Sequence, residues 1–291
     1  MKKLRSLTLG ICALLALAGC SSSETIRWHQ GTGPIKIVAS TDVWGSVANL
    51  VAGDLASVDA IIYNVNQDPH SHELTARDQL LINNADIVIM NGGGYDSFME
   101  KAVAADPTPA ITVNAYMASG DDQTRNEHIW YDVDQVGDVA AVIGAAIESV
   151  DESKTTEVEA NVADFRKKIS ARKAQLDALR ATPKSAFLTE PLIAYLVQDA
   201  GYRNLTPTSF SNAVEEDRDV PPASMREATS LILSGRVNFI AVNSSTVTAQ
   251  VNSLLALNPE VPNYSFGELL PNKSSTYFDI LDSAIKELEG K

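Results

Sequence analysis

Residues Ser153 to Arg180 form one uninterrupted, mostly polar helix candidate, and Pro183 marks its end. Val158, Val162, Phe165, Ile169, Leu176 and Leu179 draw a narrow apolar stripe along it. At 1.5 Å per residue such a helix is ~40 Å long, enough to run the length of a domain pair. Its two flanks are alike, which suits a connecting helix better than a surface helix of one large domain.

The first flank alternates strand and helix. Ile35 to Ala39 reads as a buried strand, and Val43, Trp44, Val47, Leu50 and Val51 then share one helical face. Asp42 is placed to cap that helix and Gly53 to stop it. Val58 to Tyr63, Asp86 to Met90 and Ala110 to Val113 are further strands; Thr75 and Asp78 form a capping box, and Val136 to Ile147 is a helix. In the second flank Ala186 to Leu188, Asn238 to Val242 and Val261 to Phe266 are strands. A helix runs from Leu192 to Ala200, with Pro191 as its first residue and Gly201 as its stop. Alternation without tight hairpin signals predicts α/β lobes built on parallel sheets. The expected boundaries are 34–150 for the first lobe, 151–182 for the helix and 183–291 for the second lobe.

The N-terminus fixes an address. Lys2, Lys3 and Arg5 precede the uncharged run Leu7 to Leu17, which is too short to span a bilayer and reads as a secretory signal. Leu17-Ala18-Gly19-Cys20 resembles the lipobox of bacterial lipoproteins, in which the cysteine is lipidated and becomes the mature N-terminus. Residues 1–19 are then signal peptide and 20–33 a polar, Ser-rich tether. The working protein is expected outside the cytoplasm, held to the membrane by lipid on Cys20.

Cleavage removes Cys12, so neither a disulfide framework nor a zinc finger is available. It also removes three cations from a formal charge of −14, leaving the mature chain near −17. Such a surface disfavours nucleic acid and anionic lipid and concentrates cations. Aromatic residues are only 6% of the chain, so no stacking-rich cleft for organic solutes is evident.

Four histidines are present: His29, His70, His72 and His128. His29 falls in the tether. Asp68-Pro69-His70-Ser71-His72-Glu73 lies between a strand and a helix, and Glu127-His128-Ile129-Trp130 also precedes a helix. Ligand sites of open α/β sheets lie at that edge. Each histidine alone is an ordinary structural residue; two such loops flanked by carboxylates point to a metal. Glu190 and Glu268 each end a second-half strand, where a carboxylate serves equally as helix cap, solvated loop acid or ligand. Asn91-Gly92-Gly93-Gly94 lacks the spacing and the lysine of a phosphate cradle and reads as a tight turn beside the cleft. Glu215 to Asp219 reads as a solvated acidic connection, the alternative being that it lines the cleft or meets a partner protein.

From Ile35 onward these blocks together resemble the metal-binding lipoproteins of bacterial zinc and manganese ABC importers. The resemblance rests on Asp68-Pro69-His70, Glu127-His128-Ile129-Trp130, Thr189-Glu190-Pro191 before Tyr195 and Gly201, and Gly267-Glu268 before Leu269-Leu270-Pro271. It implies two lobes joined by a rigid helix with one metal in the interlobe cleft, held by His70 and His128 from the first lobe and Glu190 and Glu268 from the second. It implies a monomeric receptor, not an enzyme, that delivers its ion to an ABC metal permease, with Zn²⁺ favoured over Mn²⁺. The family pattern differs in having Asp at the last position in many members, and a third histidine and a His-rich loop in zinc-specific ones. The rival readings are a metal-dependent extracytoplasmic enzyme using the same four side chains and a metal-binding surface adhesin. H-E-x-x-H and G-x-S-x-G are both absent. Two histidine ligands also imply an affinity that falls as pH drops through the imidazole range near ~6.5.

Overall fold

The computed structural model describes residues 33–105, 110–120, 126–180 and 184–290. The signal segment, Cys20, His29 and Pro183 lie outside the described residues.

The first half runs β1 (Ile35–Thr41), α1 (Asp42–Ala52), β2 (Ala56–Ile62), α2 (Ala76–Asn83), β3 (Ile87–Met90), α3 (Ser97–Ala105), β4 (Ile111–Asn114), α4 (Ala115–Ala118) and α5 (Val136–Val150). All four residues of β3 are buried, as a strand covered on both faces requires. The four strands pair in parallel in the order β2-β1-β3-β4. After α6 (Thr155–Leu179) the second half runs β5 (Lys184–Leu188), α7 (Ala194–Asp199), β6 (Tyr202–Asn204), α8 (Thr208–Glu215), α9 (Pro222–Leu233), β7 (Phe239–Asn243), α10 (Ala249–Leu255), β8 (Asn263–Phe266) and α11 (Tyr277–Glu289). Its sheet is also parallel, in the equivalent order β6-β5-β7-β8. In both sheets the winding direction reverses between the first and third strands, which opens a crevice at the carboxyl edge.

The helix α6 begins after a short 3₁₀ turn at Glu152–Lys154, where the Asp151 carboxylate accepts from Ser153 N–H. Val158, Phe165, Ile169 and Leu176 of the stripe are buried, with Val162 and Leu179 packed at its margin. Helices α1 and α5 meet α6 from the first half, α7 and α11 from the second. Gly144 of α5 permits the close approach, because a Cβ there would lie 2.9 Å from Val162 Cγ2. Residues of both halves therefore share one continuous apolar cluster. Polar bonds lock the same junction. Tyr277 O–H donates to Trp130 O at 2.7 Å and Tyr277 N–H to Ser46 Oγ at 2.8 Å.

Three local readings differ from the structure. Pro191 is not the first residue of α7, which begins at Ala194; the Pro191 carbonyl instead accepts a side-chain bond. Asp42 is the first helical residue of α1 rather than its cap, and its carboxylate accepts from Leu270 N–H across the junction at 3.2 Å. Glu215 is not part of a solvated connection: it ends α8 and is largely buried. Three apolar residues on the helix, Phe210, Ala213 and Val214, leave too short a periodic run to announce α8.

Candidate metal site

His70, Glu190 and Glu268 lie in segments that follow β2, β5 and β8, and His128 lies in the segment between α4 and α5. His70 lies in the loop after β2, where Asp68 folds the turn by accepting from His70 N–H at 2.9 Å and Ser71 O–H at 2.8 Å. Its ring stands edge-on to Tyr95, with centroids 5.1 Å apart. His128 precedes a 3₁₀ turn at Ile129–Tyr131 and is 0% exposed, packed between Tyr95 and Trp130. Asn126 Oδ1 sits 2.6 Å from His128 Nδ1. A neutral ring that donates there keeps its lone pair on Nε2, the arrangement a metal-ligating imidazole needs. Asn126 is itself held by the second lobe: its side-chain Nδ2 donates to Pro191 O at 2.6 Å and its backbone carbonyl accepts from Tyr195 O–H at 2.7 Å.

Glu190 stands just beyond β5 and is 4% exposed; Glu268 stands just beyond β8 and is 6% exposed. One amide joins them. Asn243, the last residue of β7, donates from Nδ2 to Glu190 Oε2 at 2.6 Å and also to Glu268 Oε1. Thr246 O–H donates to the other Glu190 oxygen, and Tyr95 O–H reaches Glu268 Oε2 at 3.2 Å from the opposite lobe. Gly267 earns its place through its carbonyl, which accepts from Tyr131 O–H at 2.8 Å.

His70, Glu190 and Glu268 line a cavity of about 300 Å³ together with Asp68, Glu215 and Asp217. Its lining holds five acids and neither lysine nor arginine. His128 meets the same cluster through Glu215, with Nε2 and Oε1 3.2 Å apart. His72 goes elsewhere: its ring packs on Phe98 at 4.8 Å and its Nε2 faces Asp78 at 4.0 Å. Glu127 stays at the margin, 4.0 Å from His70 Nε2.

The electrostatics follow from buried carboxyls that have no lysine or arginine beside them among the described lining residues. Burial pushes the Glu190 carboxyl up to about 7, against the pull of its bonds from Thr246 and Asn243. Burial likewise raises Glu268, with the Asn243 bond opposing. Glu215 is pushed up to about 9 by burial and then by the neighbouring carboxylates. His128 is driven down to about 3 by burial, so its ring is neutral at any physiological pH.

The glycine turn after β3 supports this site rather than binding an anion. Gly92 has φ 79°, and a Cβ there would lie 2.3 Å from Asn114 Oδ1. The amides of Asn91 and Gly92 already donate to Asp96. Asn91 takes the indole N–H of Trp44 at 3.0 Å and holds Glu127 O at 2.9 Å, while the turn delivers Tyr95 to Glu268.

Sequence reasoning passed over Asn126, Asn243, Tyr95 and the placement of Glu215. Asn126 is adjacent to a recognised block, yet nothing in an asparagine's identity announces that it orients a ring. Asn126→Ala is expected to weaken metal binding roughly 10- to 100-fold, the usual effect of removing a ligand's orienting partner. Calorimetric titration beside a circular-dichroism check of folding measures this; unchanged affinity would free the His128 ring from Asn126.

A family model described as zinc-uptake complex component A, periplasmic (ZnuA) matches residues 37–290. The manganese-binding lipoprotein MntA of Halalkalibacterium halodurans is 29% identical over 143 residues, covering 47% of this chain and 46% of that protein. The metal ABC transporter substrate-binding lipoprotein ScbA of Streptococcus cristatus is 33% identical over 92 residues, covering 32% of this chain and 29% of that protein. The matched stretches thus span less than half the length of these curated relatives. Among solved structures, the periplasmic zinc-binding protein TroA from Treponema pallidum superposes with a TM-score of 0.76 at 14% identity, over 89% of this chain and 99% of that one. The solute-binding protein FpvC from Pseudomonas aeruginosa, solved with Mn²⁺, gives 0.74 at 17% identity, over 89% and 99%. At these identities the likeness is one of fold.

Proposed function

The chain belongs to the family of the periplasmic zinc-uptake component A, and from that premise we propose that it captures one divalent transition-metal ion between its lobes and delivers it to an ABC permease. His70 and His128 bind the ion from the first lobe, Glu190 and Glu268 from the second. The observation that carries this reading is the cavity itself, whose buried acids meet neither lysine nor arginine among the described lining residues. There is no chemical step; function is affinity followed by release. The protein works as a monomer on the outer face of the cytoplasmic membrane, tethered by lipid on Cys20, and residues 34–150 and 183–291 act as its two lobes. Zn²⁺ is favoured over Mn²⁺ because divalent affinities generally rise from Mn²⁺ toward Zn²⁺ at a given site. The relative named for manganese and the neighbour solved with Mn²⁺ make direct competition between the two ions the test of that preference.

Calorimetry of chelator-treated protein tests the reading. One ion per chain is expected, and no binding of either ion would sink it. The same titrations carry a pH prediction. Metal needs ionised carboxylates and a neutral imidazole. The carboxyl of Glu190 sits at about 7 and that of Glu268 is also raised, so the metal-free site holds protons that binding must expel. Affinity should therefore fall as pH drops through 7, with proton release visible as a dependence of heat on the buffer. His128, at about 3, contributes nothing to that slope. An affinity flat from pH 8 down to pH 6 would contradict this.

A further inference from the structure

We propose that Glu215 is a further ligand of the captured ion, supplied by α8 and placed between the two histidines. This inference rests on the receptor reading and adds a donor to it.

Glu215 is the last residue of α8, at the negative end of a helix, where a carboxylate is disfavoured. Both of its oxygens are buried, and neither has a hydrogen-bond partner among the described residues. His128 Nε2 lies 3.2 Å from Glu215 Oε1, fully buried and also without a hydrogen-bond partner among the described residues. His70 Nε2 lies 3.7 Å from the same oxygen. Once the Glu215 carboxyl gives up its proton, two lone pairs face one another across that gap, an arrangement that a cation between them turns from repulsive to attractive. Neighbouring donor atoms about 2.1 Å from one five-coordinate metal ion sit roughly 3.0–3.6 Å apart, close to these separations.

The position is built into the lobe. Phe210 and Val214 anchor α8 in the second apolar core. The helix is closed by Asp217 at φ 48°, with Arg218 N–H donating to Ala213 O at 2.7 Å. Farther along, Val220 N–H donates to Gln250 Oε1 at 3.1 Å. By contrast Glu216, the next residue, is exposed and paired with Arg218 at 2.6 Å.

That contrast supplies the test. Wild type, Glu215→Gln, Glu215→Asp and Glu216→Gln are titrated with Zn²⁺ by calorimetry, and with Co²⁺ while its visible absorption reports coordination. Melting of each metal-free protein checks folding. Glu215→Gln should weaken both ions by at least about 100-fold, more than the loss of an orienting partner, and should alter the Co²⁺ bands. Glu215→Asp keeps the charge but loses reach, so it should also weaken binding and alter the bands. Glu216→Gln should do neither. Wild-type affinity and bands in both Glu215 variants would overturn the inference. So would equal weakening by Glu215→Gln and Glu216→Gln, or weakening with unaltered bands, since either means that charge acts from a distance. If the wild type binds neither ion, the receptor reading itself fails and this inference falls with it.

Discussion

Glu190→Gln and His128→Ala are each expected to weaken metal binding by at least about 100-fold, since removing a ligand exceeds the 10- to 100-fold typical of an orienting partner. The two variants probe opposite lobes. Glu190→Gln keeps the size of the side chain, its oxygen can still accept from Asn243, and its amide can donate to the Thr246 oxygen in place of accepting from it, so the main change is one of charge. His128→Ala removes a fully buried ring from between Tyr95 and Trp130, and its folding has to be verified separately. A thermal readout makes the comparison independent of heats of binding. An ion present at 1,000 times its Kd stabilises the protein by about 4 kcal/mol. For a chain of this size that is a rise in Tm of roughly 10 °C. At the same metal concentration the rise should shrink to a few degrees or vanish in either variant. A full rise in Glu190→Gln would remove the second lobe from the site, and the interlobe mechanism with it.

Tyr277→Ala is expected to destabilise the whole protein by about 3–5 kcal/mol, the range for deleting a large buried aromatic side chain. Tyr277 is fully buried where the halves meet, stacked on Phe165 of α6 with centroids 5.7 Å apart. Its hydroxyl donates to Trp130 O in the first half, from the same segment that carries His128. Tyr277→Phe keeps the ring and loses that donor, which should cost about 1–3 kcal/mol because a buried carbonyl is left unsatisfied. Chemical denaturation, followed by fluorescence and far-ultraviolet circular dichroism, measures both. Coincident transitions are expected, because both halves contribute to one core. A loss under 1 kcal/mol in Tyr277→Ala, or two separate transitions, would mean that the halves stand independently of this contact.

Such a junction has a functional consequence. The helix α6 is gripped from both sides, by α1 and α5 and by α7 and α11. Donor groups from either lobe are thereby held in register before the ion arrives, which reduces the ordering that binding must pay for.

The alternation of strands and helices, the long central helix and its apolar stripe were legible in the residues alone. Burial on one face or two leaves a period in the sequence, and Ile87 to Met90 or Val158 to Leu176 carry that period without help from the rest of the chain. Short elements were not legible: Tyr202–Asn204 is too brief to show any period. His70, His128, Glu190 and Glu268 stood out as candidates because ligating groups are a property of side-chain identity, but only the family resemblance joined the four into one set. Direction was not legible. His70 and His72 are two residues apart in one loop, yet one ring faces the cavity and the other packs on Phe98. Nor could sequence tell that one amide, Asn243, would hold two carboxylates, or that Glu215 would leave solvent and face both histidines. These facts depend on contacts between segments far apart in the chain, and so does the burial that raises the carboxyls and lowers His128. Residue types and periods are local and survive in the sequence; which groups meet, and how far from water, only the packed lobes decide.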